Sequence, residues 1–109
     1  MAYTTYKIDD YRISLMSHPV YSAIIVLYNK SLNNILGRIY FTRTAMEVSV
    51  SVSGTIVNLY VPESCYGSYV DLLRNESPVF FEFDVASSYK MANLKTDREP
   101  TGDGDLPQG

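Results

Sequence analysis

The chain has 109 residues, 46% hydrophobic and 19% charged, with ten Tyr, four Phe, no Trp, one Cys, one His and a net charge of −3; this is one domain's length. A single cysteine excludes an intramolecular disulfide and a CxxC zinc or redox motif, the polar start lacks the basic patch and apolar run of a signal peptide, and the longest apolar stretch, Val20–Tyr28, is far below the roughly 20 residues of a membrane helix. The expectation is a soluble, cytoplasmic protein without a membrane partner. Up to Pro62 five basic residues face three acidic ones, and from Glu63 onward four face nine, so the basic excess of a dedicated duplex-DNA binder is absent.

Val, Ile, Thr, Tyr and Phe concentrate before residue 96, a composition that suits pleated, half-buried strands. Tyr11–Met16 and Val20–Tyr28 read as two strands separated by Ser17-His18-Pro19, with Pro19 in the turn. After the turn cluster Asn29–Asn34, Ile35–Thr42 is a third strand, Ile39 and Phe41 on one face and Arg38, Tyr40 and Thr42 on the other. In Glu47–Val61, Val48, Val50 and Val52 alternate with Ser49, Ser51 and Ser53, and Ser53-Gly54 suits a two-residue hairpin turn. That turn places Val52 opposite Thr55, Val50 opposite Val57, Val48 opposite Leu59 and Met46 opposite Val61, with all the aliphatics on one face. The reverse face carries Glu47, Ser49, Ser51, Ile56, Asn58 and Tyr60.

The period then changes. Tyr66, Tyr69, Val70 and Leu73 fall at i, i+3, i+4 and i+7, with Leu72 widening the stripe and Asp71 and Arg74 facing away. This predicts one amphipathic helix over 64–75, begun near Pro62-Glu63 and closed before Pro78. At about a dozen residues it is marginal in isolation, so its Tyr/Leu face must pack on the sheet. Val79–Val85 is a further strand, with Val79, Phe81, Phe83 and Val85 inward and Phe80, Glu82 and Asp84 outward; Phe80 does not fit its face. Tyr89–Lys95 reads as a short edge strand. The domain is 1–96, and 97–109, with two prolines, three glycines and one large aliphatic, reads as a flexible acidic tail.

Recognisable catalytic and cofactor motifs are missing. His18, the single histidine, lies in a turn without a nucleophile-elbow motif. Cys65 at a predicted helix start reads as a small half-buried residue, against a reactive thiol. Glu82 and Asp84 share the wet face of a strand, the bland reading, against a catalytic dyad. Asp97, Glu99, Thr101 and Gly102 imitate a calcium loop, but Pro100 intrudes and Gln108 replaces the bidentate acid. No catalytic residue, cofactor or metal ligand is therefore assigned. Arg38, Tyr40, Asn58 and Tyr60 remain as a candidate nucleic-acid or partner-binding face, with Arg43 nearby. They combine phosphate-pairing cations with rings on which bases stack, and tyrosine equally suits protein interfaces.

The run Asp71-Leu72-Leu73-Arg74-Asn75-Glu76-Ser77-Pro78-Val79-Phe80-Phe81, followed by Arg98-Glu99-Pro100-Thr101-Gly102-Asp103-Gly104-Asp105, resembles the closing half of small uncharacterised prokaryotic proteins with a Whirly-like arrangement, four antiparallel strands and then a helix. The resemblance covers about a third of the chain. It implies a curved sheet crossed by a helix, commonly dimeric, in a fold class known for single-stranded DNA binding.

The sequence thus predicts an α+β fold, a mainly antiparallel curved sheet of five or six strands with one helix on its apolar face. Its expected role is a non-catalytic interaction or assembly module, self-associating as a homodimer through a sheet edge or the Tyr-rich helix region, or contacting another protein. The alternative is single-stranded nucleic-acid binding on the Arg38/Tyr40/Asn58/Tyr60 face. A third reading is an acid site around Glu82 and Asp84.

Overall fold

The structure, a computed structural model, describes residues 3–30, 34–44, 47–86 and 88–97. Eight strands and one helix follow in order: β1 (Thr4–Lys7), β2 (Asp10–Leu15), β3 (Tyr21–Asn29), β4 (Asn34–Thr42), β5 (Ser49–Ser53), β6 (Ile56–Pro62), α1 (Tyr66–Asn75), β7 (Val79–Asp84) and β8 (Met91–Thr96). They form two sheets, β1-β7-β8 and β2-β3-β4-β6-β5.

The fold is α+β and mostly antiparallel, but the expected single sheet of five or six strands is corrected to two sheets, the larger of them mixed. Two features account for this. The polar segment Thr4–Lys7, which has no hydrophobic alternation to reveal it, pairs with β7. The chain then changes sheets within two residues: Ile8 N–H donates to Val79 O and Asp9 N–H to Tyr28 O, both at 2.9 Å. Secondly, β6 lies between β4 and β5 and runs parallel to β4, Ile39 opposite Leu59 and Phe41 opposite Val61. The hairpin is therefore not laid beside β4 by its first strand.

The core lies between the two sheets and under the helix. Ala23, Ile25 and Leu27 of β3, Ile39 and Phe41 of β4, and Val57, Leu59 and Val61 of β6 are buried together with Phe81 of β7 and Leu73 of α1. The predicted helix is present as a single 3-10 turn, Glu63–Cys65, running into α1. Its aromatic stripe meets Phe41 edge-on, with ring centroids 5.1 Å away for Tyr66 and 5.7 Å for Tyr69. Burial, and secondarily the neighbouring Cys65, pushes the Tyr69 phenol's pKa up. The Tyr-rich helix region expected as a contact surface thus spends Tyr66 and Tyr69 on the core.

The hairpin turn is Gly54-Thr55 rather than Ser53-Gly54, since Ser53 pairs with Ile56, Val52 with Val57 and Val50 with Leu59. Gly54, at φ +62°, takes the left-handed conformation that costs glycine little. Moving the turn by one residue shifts each partner by two, so every side chain keeps its predicted face. Val48, just before β5, and Val52 within it are nevertheless 60% and 43% exposed, at the edge of the larger sheet. Met46, predicted opposite Val61, lies outside the described residues, as does the tail beyond Asp97.

On β7 the outward assignment of Asp84 is corrected: it is 3% exposed, and its Oδ1 accepts from Ala86 N–H at 3.2 Å. Phe80 is half-buried, in register with Lys7 of β1 and Lys95 of β8. Long lysine stems cover such a ring while their ammonium groups stay in water. The segment expected as an edge strand is β8, at the edge of the smaller sheet.

Candidate functional site

The larger sheet turns one face to the core and the other outward. Because register partners share a face, the outer side is organised in rows across the strands. A central row runs Arg12, Val26, Arg38, Asn58, Ser51 from β2 to β5. Beside it, toward the C-terminal ends of β4 and β6, lies Ser14, Ile24, Tyr40, Tyr60, Ser49. The four candidate residues Arg38, Tyr40, Asn58 and Tyr60 are thus brought together: β4 and β6 pair Arg38 with Asn58 and Tyr40 with Tyr60.

At one end of this face the aromatic rings gather. Tyr40 and Tyr60 stack at 4.9 Å, Tyr21 closes on them at 5.1 and 6.4 Å, and His18 stacks on Tyr21 at 5.2 Å. Tyr60 OH lies 3.4 Å from Ser51 Oγ. At the other end Asp10, Tyr28, Lys30, Asn34, Ile35, Thr55 and Ile56 help to line a hollow of about 460 Å³. Between the two ends, Ile24 and Val26 are half-buried. Tyr21, Ile24 and Val26 were missed as site residues by the sequence reading. Their signal was present in β3, whose continuous apolar run lacks the alternation of a strand with one wet face, a pattern found where both faces are covered.

Two of the polar groups have structural duties. Arg43 donates through Nε to His18 O at 2.8 Å and through Nη2 to Met16 O at 2.8 Å, tying the β2–β3 turn to the end of β4. His18 Nδ1 accepts from Val20 N–H at 3.0 Å, the turn role expected of it. Asn58, by contrast, is 5% exposed, and its Oδ1 has no hydrogen-bond partner among the described residues. An orphaned buried acceptor costs about 1–3 kcal/mol. Asn58→Leu is therefore expected to leave the unfolding midpoint of the isolated chain unchanged or raised, as read by urea denaturation; a loss above about 1 kcal/mol would show that the carboxamide is bonded.

The acid pair is separated in role. Glu82 Oε2 accepts from Lys95 Nζ at 2.9 Å, and that hydrogen bond holds the Glu82 pKa below its ordinary value. A general acid needs the opposite shift. The stabilising contribution of this contact is present above the unfolded glutamate's pKa and is lost as pH falls through the lower folded one. In a carbon-detected NMR titration Glu82 is expected to titrate below the ordinary glutamate value, and Lys95→Met to move it back upward; an unmoved titration would remove Lys95 as the cause.

Among the described residues no group of three or more His, Cys, Asp or Glu could hold a metal ion, and no helix is long and apolar enough to cross a membrane. Comparison with family models, with curated proteins and with solved structures gives no match.

Proposed function

We propose that the protein is a non-catalytic assembly module that self-associates through the outer face of its five-stranded sheet. The observation that carries this reading is β3. Ile24, Val26 and Tyr28 project outward, half-buried, from a strand whose opposite face is core, and no other described element lies over them. Ile35, Tyr40, Ile56 and Tyr60 extend the same surface across β4 and β6. Aromatic side chains with aliphatic neighbours and few charges are the composition of an interface centre. A dimer is also what the sequence resemblance implies.

Nucleic-acid binding on Arg38, Tyr40, Asn58 and Tyr60 is the second reading, favoured by their adjacency in two neighbouring rows. Against it, Tyr40 and Tyr60 stack on each other, and Arg43 is committed to backbone carbonyls, which leaves Arg12 and Arg38 as the cations of the central row. Light scattering and sedimentation should show the parent chain as a dimer at micromolar concentration. Val26→Lys should weaken association at least about 30-fold, the scale of an interface hot spot, with an unchanged circular dichroism spectrum. A parent chain that stays monomeric, or a Val26→Lys chain that dimerises normally, overturns the reading. Tight, salt-dependent oligonucleotide binding by a monomer would put the second in its place.

A further inference from the structure

The outer sheet face has two unlike ends, and their placement bears on how a second copy would sit. Measured from the central row Arg12–Val26–Arg38–Asn58, the aromatic row lies two residues along each strand in one direction. The hollow lined by Asp10, Tyr28, Ile35 and Ile56 lies two residues along β2, β3 and β6 in the other, and three along β4, where a register shift sets Ile35 opposite Tyr28. Both features span β3, β4 and β6, so they occupy the same lateral position on the sheet.

Resting on the assembly reading above, we infer that the occupant of this face is a second copy of the chain, related by a two-fold axis along the central row. The Tyr40/Tyr60 ridge of each copy then fills the hollow of the other. A two-fold interface uses one patch on both subunits, so a surface that carries both a projection and its receptacle at equal distances from a line is self-complementary. An axis across the strands reverses strand direction and preserves lateral order. It therefore lays Tyr60 over Ile56, Tyr40 over Ile35 and Ile24 over Tyr28 of the opposite copy.

Area and polarity fit this occupant. Five strands at ordinary spacing and rise make a face of about 550 Å², so two copies together remove about 1,100 Å² or more, past the roughly 1,000 Å² of a specific interface. The tyrosine rings bury apolar bodies in the hollow while their hydroxyls reach its polar rim, where Asp10 and Asn34 supply acceptors. At the axis each residue of the central row stands opposite its own counterpart, so Val26 packs on Val26, while the long Arg12 and Arg38 stems carry their guanidinium groups outward to water.

Isotope-filtered NMR tests the orientation on the unmodified protein, by mixing uniformly ¹³C-labelled chains with unlabelled chains, so that filtered cross-peaks to unlabelled tyrosine rings come only from the other copy. Within one chain the Tyr60 ring and the Ile56 methyls are about 13 Å apart along β6, so cross-peaks between them report only contact between copies. The expected result is cross-peaks from Ile35 and Ile56 methyls to tyrosine rings of the unlabelled chain, lost in Val26→Lys. A dimer showing methyl-to-methyl contacts at 35 and 56 instead, with none to tyrosine rings, has its axis along the strands and overturns this inference while sparing the assembly reading. Filtered contacts from neither end of the face, in a sample that sediments as a dimer, also overturn it. A sample that sediments as a monomer removes the assembly reading itself.

Discussion

Phe41→Ala is expected to destabilise the protein by about 3–5 kcal/mol, the cost of truncating a fully buried aromatic side chain. Phe41 is 0% exposed, lies in the central strand β4 between Ala23 of β3 and Val61 of β6, and receives Tyr66 and Tyr69 edge-on. Truncation removes transfer free energy and leaves a cavity beneath α1. It also takes away the surface on which a ten-residue helix, too short to be stable alone, depends. Domains of this size have only about 5–15 kcal/mol in hand, so the variant should sit near its unfolding midpoint at low urea. Denaturation monitored by far-ultraviolet circular dichroism checks this. A loss below about 1.5 kcal/mol would mean that the site collapses around the missing ring and that the helix is held elsewhere.

Gly37→Ala is expected to cost about 1–3 kcal/mol, and Gly37→Val more, through overpacking where the two sheets meet. A Cβ at position 37 would stand 2.7 Å from Phe81 Cε2 and 2.9 Å from Val57 O. The first obstacle is a side chain fully buried in the core, and the second is backbone in the neighbouring strand. Pairing Gly37→Ala with Phe81→Leu should therefore recover part of the loss but not all, because the carbonyl cannot move without breaking the β4–β6 ladder. In a double-mutant cycle the coupling should be clearly favourable, beyond the roughly 0.3–0.5 kcal/mol scatter of independent sites. Additive losses would show that Phe81 is not what excludes a side chain at Gly37.

The helix was legible because its Tyr66/Tyr69/Leu73 spacing survives any tertiary arrangement. The Val50/Val52 hairpin kept its faces although its turn moved, since strand parity tolerates a two-residue change of partner. Of the candidate site, Arg38, Tyr40, Asn58 and Tyr60 were legible as a group through alternation alone. Tyr21, Ile24 and Val26 were not, because a run apolar on both faces does not say which face the chain itself covers. The outward reading of Asp84 failed for a different reason: a strand-end carboxylate can turn to accept from a following N–H, and alternation carries no information about that.

Residue order by itself determined the types of the elements after β1, the helix position and, Asp84 apart, the faces on which strand side chains stand, because each follows from local periodicity. It also excluded an intramolecular disulfide, through its one cysteine. Only tertiary structure decided that Thr4–Lys7 joins β7, that β6 lies parallel to β4, and that Phe81 rests over Gly37. These depend on which buried surfaces fit together at a distance along the chain, and pairing over such separations has no local signature. The same holds for the outer face: its residues could be read in sequence, but which of them β4 and β6 bring side by side was decided by the parallel pairing of those strands.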